Sequence, residues 1–140
     1  MREIRFRAKP RDLFDKRAWV YGDFVTIKQD GHPTGFIHQP YKLFSKEEEE
    51  PYTEIIETTV GQYIGLNDKK DSEIYEGDIV RLDSSEIGGE KVAGEVVFNT
   101  DQTLANLEFG IWTNRGFYRT DFLGVIEVIG NIYDNPELLG

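Results

Sequence analysis

Apolar and polar residues alternate along most of the chain with a period close to two. In residues 4–9 every second position is basic, which is the pattern of a half-buried strand. The pattern predicts two further strands around 19–21 and 25–27, broken at Gly22-Asp23. The segment from Asp30 to Gly35 is rich in residues that accept positive φ or fix negative φ, and it predicts a turn.

A run of four glutamates, Glu47 to Glu50, ends at Pro51 and separates two parts of the chain. Ser45 could cap one short helical turn there, but four adjacent like charges favour an exposed acidic loop. We therefore expect an N-terminal β-hairpin region over residues 1–52 and a second region over 53–140, within one compact protein.

Apolar and polar residues alternate more regularly in the second region, residues 53–140. A hairpin is predicted around residues 114–116, and the β-branched run Val125–Ile129 predicts a central strand. Asn135 and Pro136 fit the cap and first position of a last helical turn, 135–139. The predicted strands lie at 55–64, 74–75, 79–82, 92–98, 107–111, 117–118 and 125–129.

Short strands at turn-rich spacing predict an all-β, or mostly β, protein with the architecture of a small barrel or sandwich. The order of turns and strands in residues 74–130 is similar to that of SH3-like barrels, so the C-terminal part is expected to be SH3-like. Helical periodicity over ten or more residues is absent, and very little helix is expected outside 42–50 and 135–139.

The 140-residue chain has a formal net charge of −10, and the charge is unevenly distributed. The first twenty residues hold seven basic and three acidic groups (+4), while the other 120 hold nine basic and twenty-three acidic groups (−14). A conventional duplex binder needs a basic domain to neutralise phosphates, so a nucleic-acid partner is disfavoured.

The N-terminus has no apolar stretch behind its charges, and no uncharged run approaches the roughly 20 residues that span a bilayer. No cysteine is present, which removes disulfides and thiolate chemistry. We expect a cytoplasmic protein that has no membrane partner.

The strongest candidate for a binding surface is a basic arm at the N-terminus. The interpretation that assigns the arm no binding role is edge protection, in which charges deter unwanted strand pairing. The functional readings are self-association with the acidic remainder of a second copy, or contact with nucleic acid. The arm consists of Arg2, Arg5, Arg7, Lys9 and Arg11.

Other chemistry-bearing residues favour structural roles. The histidines His32 and His38 match no metal-ligand spacing, and His32 is expected to be exposed in its turn. Gly77 is predicted to have positive φ, with the Asp78 carboxylate accepting hydrogen bonds from backbone amides of the same corner. No serine lies in a nucleophile elbow and no glycine lies in a phosphate-binding loop, so no catalytic residue, metal site or cofactor is assigned.

Three stretches together resemble the YopX family of phage and prophage proteins. They are Met1–Ala8, the segment from Thr59 to Val80 that contains Gly65-Leu66-Asn67-Asp68-Lys69 and Glu76-Gly77-Asp78, and the segment from Ile126 to Leu139. One departure is Lys9-Pro10, where the family commonly has a Trp-Asp pair. The resemblance implies a phage or prophage origin, a bacterial cytoplasm and a mostly β fold, and it carries over no catalytic residues.

These observations lead to a prediction of function. We expect a non-enzymatic accessory protein, a binding or assembly module that acts through protein contacts. Its expected partners are a second copy of itself and an unidentified host or phage protein. The alternatives are an acidic mimic of nucleic acid that inhibits a host DNA-binding protein, or a nucleic-acid-binding protein that uses the basic arm.

Overall fold

A computed structural model describes residues 4–39, 51–83, 91–99, 108–114, 116–119 and 126–139. Within these ranges nearly all regular structure is antiparallel strand, so the predicted all-β class is confirmed. The strands are β1 (Phe6–Ala8), β2 (Val20–Gln29), β3 (His32–His38), β4 (Tyr52–Glu54), β5 (Gly61–Asn67), β6 (Glu73–Tyr75), β7 (Asp78–Asp83), β8 (Lys91–Asn99), β9 (Glu108–Thr113), β10 (Gly116–Arg119) and β11 (Ile126–Asn131).

Two compact units divide the chain between Gln62 and Tyr63. The sequence-based boundary at 52/53 lies earlier, because the acidic run is the most visible break in composition. The structure assigns β4 to the N-terminal unit, since its three residues pair with β3 from Phe36 to His38. Composition marks where a chain is polar, whereas strand pairing determines which unit a segment joins.

In the N-terminal unit the strands follow the order β4-β3-β2-β1, and the start of β5 pairs with β1. The β2–β3 hairpin closes at Asp30-Gly31, where φ is 52° and 80°. Positive φ at both central residues is the geometry of a two-residue hairpin turn. The predicted turn over 30–35 was therefore too long, because β3 already begins at His32.

The predicted break at Gly22-Asp23 was also wrong, because β2 runs without interruption from Val20 to Gln29. A Cβ at position 22 would lie 2.1 Å from the carbonyl oxygen of His38. Glycine thus allows a close approach of two paired strands here rather than ending one. The core of this unit contains Ala8, Val20, Ile37 and Ile55.

After β4, Glu57–Thr59 forms a 3-10 turn inside the segment predicted to be a strand. The Thr59 hydroxyl donates to the carbonyl of Ile56 at 2.6 Å and accepts from the amide of Lys9 at 2.9 Å. The expectation that helix is confined to 42–50 and 135–139 was therefore wrong at this place. Residues 42–50 lie outside the described ranges.

The C-terminal unit contains a five-stranded antiparallel sheet in the order β10-β9-β8-β7-β11, together with the β5–β6 pair. The predicted hairpin around 114–116 is confirmed, with Gly116 paired to Thr113. The run predicted to be central forms β11, which is at the sheet's edge among the described strands. The buried cluster on one face is Ile64, Ile74, Val80, Leu82, Val92, Val96, Phe109, Ile111 and Ile126.

The last element is a 3-10 turn, Pro136–Leu139, as predicted, with Pro136 at its first position. Asn135 does not cap the turn with its side chain. Its Oδ1 accepts instead from the amide of Asn131 at 3.3 Å. In the described part of the chain, no helix is long and apolar enough to cross a membrane.

Candidate interaction surface

The basic arm is not a row of exposed cations. Arg7 is only 6% exposed, and its guanidinium lies 4.1 Å from the centroid of the Trp19 ring. The Lys9 ammonium lies 4.9 Å from the same ring. Both cations thus lie close to the same indole, a stabilising arrangement. The expectation that Arg7 lies on the surface was wrong, because the strand pattern shows which side chains share a face but not what covers that face.

The other members of the arm also differ from the expected row. Arg11 stays at the surface, where its Nε lies 3.3 Å from the Glu54 carboxylate and its amide donates to the Glu54 carbonyl. Arg5 is partly buried, and Arg2 lies outside the described residues. Among the candidates that the structure describes, Arg11 combines an exposed side chain with an ion pair, the one to Glu54.

Directly after the arm, residues 12–15 form a tight turn that exposes two large apolar side chains. Leu13 is 97% exposed and Phe14 is 91% exposed. The Asp12 carboxylate accepts from the amide of Phe14 at 2.9 Å, and the Asp12 carbonyl accepts from the amide of Asp15. An aspartate that bonds backbone two residues ahead is a common turn device.

Contacts on both sides hold this turn in place. The Arg17 guanidinium donates twice to the Asp15 carboxylate, at 3.0 and 2.6 Å, and once to the Thr53 hydroxyl at 3.3 Å. Pro10 forms a bridge with Ile55, which is fully buried. We call residues 11–17 the apolar turn. Its tip is presented on an anchored backbone, which lowers the entropy cost of binding through Leu13 and Phe14.

The two histidines lie at opposite ends of β3. His32 is exposed beside the Asp30-Gly31 turn, as predicted. His38 stacks on Tyr52 with 4.6 Å between ring centroids, and its Nδ1 lies 3.9 Å from the Asp23 carboxylate. Among the residues that the structure describes, no three potential metal ligands come together.

The Gly77-Asp78 corner has the predicted geometry. Gly77 has a φ of 89°, and the Asp78 carboxylate accepts from the amide of Tyr75 at 2.8 Å. Asp78 is almost fully buried, so this hydrogen bond satisfies a carboxylate oxygen where water does not reach. The role is structural.

Asp68 anchors the polar loop after β5, a role that the sequence pattern did not predict. Its carboxylate accepts from the amides of Lys70 and Ser72 within the loop, and from the amide of Val128 on β11. The distances are 2.9, 2.8 and 2.9 Å. The first two bonds have a local signal, an aspartate followed by a polar turn, but the third joins residues sixty positions apart.

The anchored loop brings two lysines to Glu127. The Glu127 carboxylate lies 2.6 Å from Lys70, 3.7 Å from Lys69 and 2.6 Å from Arg81. Arg81 is its direct partner on the neighbouring strand β7. Hydrogen bonds from Lys70 and then Arg81 hold the pKa of Glu127 at about 2.

Among the side chains that the structure describes, a second carboxylate on the same sheet face has no such cations. Glu95 on β8 pairs directly with Ile79 on one side and with Trp112 on the other. Within the described residues no hydrogen bond or ion pair reaches its carboxylate, and burial raises its pKa above the ordinary value. Trp112 is 59% exposed and pairs with Phe117 on β10.

Several sequence candidates lie outside the described residues: Ser45, the Glu47–Glu50 run, Ser84, Ser85 and Gly88-Gly89. Their predicted roles as loop residues stay predictions.

Antiparallel strands, tight turns and two separate apolar clusters place the chain in the all-β class. Residues 5–140 match the family model described as YopX protein, and the chain belongs to this family. Among curated proteins there is no significant match. A solved structure titled protein EF1440 from Enterococcus faecalis is similar at 26% identity, with 100% of both chains covered and a TM-score of 0.48.

Proposed function

We propose that this YopX-family protein is a non-enzymatic binding or assembly module that acts through protein contacts and associates with itself. We place it in the bacterial cytoplasm, as a protein of phage or prophage origin. The order β10-β9-β8-β7-β11 supports an SH3-like arrangement of the C-terminal unit. A fold of this kind hosts many functions, so the proposal rests on surface chemistry rather than on the fold.

The observation that carries the proposal is the apolar turn. Leu13 and Phe14 are large side chains that a monomer leaves almost entirely in water. Burying a side chain of this size in an interface yields roughly 1.5–3 kcal/mol. Asp12, Asp15 and Arg17 use their polar groups to fix the backbone of the turn. The turn is thus anchored while its apolar tip stays available to a partner.

Nucleic-acid binding through the arm has less support. Arg7 and Lys9 pack on Trp19, and Arg11 faces the Glu54 carboxylate, so three arm cations already have contacts within the chain. The overall charge of −10 opposes approach to phosphates. The Glu47–Glu50 run on which an acidic mimic would depend lies outside the described residues, and no observation favours that alternative.

Sedimentation velocity on purified protein tests the proposal. We expect the wild type to show a concentration-dependent mass above the 16.1 kDa monomer, and the double variant Leu13→Ser/Phe14→Ser to sediment as the monomer. The matched control is Ile27→Ser, which removes an exposed apolar side chain from β2 and should leave the mass unchanged. A wild type that is monomeric at every concentration, or a double variant that keeps the wild-type mass, would overturn the proposal.

A further inference from the structure

We propose that the apolar turn of one copy docks on a surface of the C-terminal unit of a second copy, centred on Trp112 and Glu95. This inference rests on the proposed self-association and names the surface that receives the turn. We call this surface the Trp112 face. It is defined by Glu95, Trp112 and Phe117, which continue a row of directly paired residues from the buried Ile79 on β7 across β8, β9 and β10.

The row lies on the sheet face opposite the buried cluster, because directly paired residues of antiparallel strands share a face. Trp112 is in its middle, with Glu95 and Phe117 as its two cross-strand neighbours. The Phe117 ring lies against β9, since a Cβ at Gly110 would be 2.0 Å from it. The glycine therefore leaves room for the Phe117 ring on the sheet face where Phe117 pairs directly with Trp112, so two aromatic residues are cross-strand neighbours there.

The C-terminal 3-10 turn borders the other end of the row. Gly130 pairs with Ile79, and a Cβ at position 130 would lie 2.9 Å from the Leu138 side chain. Leu138 thus packs over this end of the sheet face. Ile79 is fully buried there, whereas Leu138 is partly exposed. Glu95 is consequently placed between an aliphatic border and an exposed tryptophan.

Glu95 gives the surface its charge preference. A half-buried carboxylate that has no cation beside it is stabilised when a cation arrives. An exposed indole beside it also attracts cations through its ring face. The pair therefore suits a lysine or arginine side chain that is accompanied by apolar groups.

The apolar turn offers that combination. Lys16 follows the exposed tip by two residues, is itself exposed, and has no ion pair within the described residues. Leu13 and Phe14 supply the apolar groups. The wider charges agree, because residues 63–140 hold fifteen acidic and six basic groups (−9), whereas residues 1–20 carry +4.

A contact of this size is weak. A phenylalanine contributes roughly 150–250 Å² of buried area, far below the about 800 Å² per partner of a standard interface. We therefore expect association in a concentration-dependent, transient regime. Because the turn and the face are different surfaces, the contact is heterologous, and each copy can both give and receive a turn.

Complementation of two full-length variants tests the inference. The turn variant is Leu13→Ser/Phe14→Ser, and the face variant is Glu95→Lys/Trp112→Ser. We expect each variant alone to sediment as a monomer with the wild-type dichroism spectrum. Mixed together, they supply one intact face and one intact turn, and we expect a species of twice the monomer mass.

The outcomes separate this inference from the proposed function. A monomeric turn variant beside a face variant of wild-type mass would overturn the inference and leave the proposed function standing. Two monomeric variants that stay monomeric on mixing would also overturn it, since one intact turn and one intact face would then not be sufficient for association. A monomeric wild type would overturn the proposed function and, with it, the inference.

Charge exchange gives a second measurement that does not depend on the aromatic residue. Lys16→Glu alone and Glu95→Lys alone should each weaken association by up to about fivefold, the upper end of what an exposed ion pair contributes. The double variant Lys16→Glu/Glu95→Lys should regain most of the wild-type affinity. A double variant weaker than either single one would contradict direct contact between the two side chains.

Discussion

Glu127 and Glu95 lie on the same face of the five-stranded sheet, with β7 between their strands. Glu127 pairs with Arg81 and is also reached by Lys69 and Lys70, so one carboxylate faces three cations. Glu95 pairs with Ile79 and Trp112 and faces none within the described residues. The pKa of the first is lowered to about 2, and the pKa of the second is raised.

The difference shows how strand register assigns different roles to the same residue type. Opposite Arg81, a glutamate links β7 to β11 and to the anchored loop, which is a structural role. Opposite Ile79 and Trp112, a glutamate is partly buried and has no cation beside it among the described side chains. Its charged form is therefore less stable than in water. Local arrangements that reduce stability are expected mainly where a protein uses them for function.

The largest effect is expected from Asp68→Ala, which would make the surroundings of Glu127 resemble those of Glu95. The substitution leaves three backbone amides without their acceptor and releases the loop that carries Lys69 and Lys70. We expect the free energy of unfolding to fall by about 2–4 kcal/mol, measured by urea denaturation. The pKa of Glu127, followed by NMR titration, should rise in the same variant.

Asp68→Asn is the matched control, since it keeps one side-chain oxygen as an acceptor and removes only the charge and the second acceptor. Asp68→Asn should lower the free energy of unfolding by less than Asp68→Ala does. Equal urea midpoints for wild type and Asp68→Ala would show that the loop is held by other contacts.

A smaller effect is expected from Glu127→Gln, because Lys70 and Arg81 remain accessible to water when the carboxylate is lost. The folded pKa of about 2 is below the ordinary 4.5, so the charged carboxylate stabilises the fold above pH 4.5. This contribution is lost as the pH falls from 4.5 towards 2. The difference in unfolding free energy between wild type and Glu127→Gln should therefore be largest near neutral pH and small at pH 2.

Salt gives an independent check on that pairing. Raising the ionic strength from 0.1 to 1 M shortens the screening length from about 10 to about 3 Å and should reduce the difference at pH 7. A difference that is constant from pH 7 to pH 2 would contradict a role for the Glu127 charge.

The features that sequence predicts well here are local ones. Gly77 and Asp78 are adjacent, and their corner needs only a positive φ and an amide three residues away. The alternation in residues 4–9 likewise predicts β1, because the period of two is a property of the strand itself. The Asp30-Gly31 turn was placed correctly, although its length was overestimated.

The features that sequence missed depend on pairing between distant residues. The bond from Val128 to Asp68 and the ion pair between Lys70 and Glu127 require the final register of β11, which no local pattern specifies. Burial of Arg7 depends on where Trp19 packs. The exposed tip at Leu13 and Phe14 did have a local signal, since Asp12 and Asp15 bracket it as turn residues.

The smallest effect on stability is expected from Glu95→Gln, and its sign is opposite to that of Glu127→Gln. Burial raises the folded pKa above 4.5, so this group favours the fold when protonated, and that contribution is lost as the pH rises through the raised pKa. At pH 7 the neutral glutamine should therefore stabilise the protein by up to about 0.5 kcal/mol, a gain that should vanish near pH 3. Urea melts at both pH values measure this gain, and a Glu95→Gln variant less stable than wild type at pH 7 would contradict the desolvation argument.

The same substitution removes the charge proposed to receive Lys16, so it should weaken self-association while it stabilises the fold. Opposite changes in these two quantities are expected of a carboxylate kept for binding, whereas one that only stabilises the sheet, as Glu127 does, would lose stability and leave association unchanged.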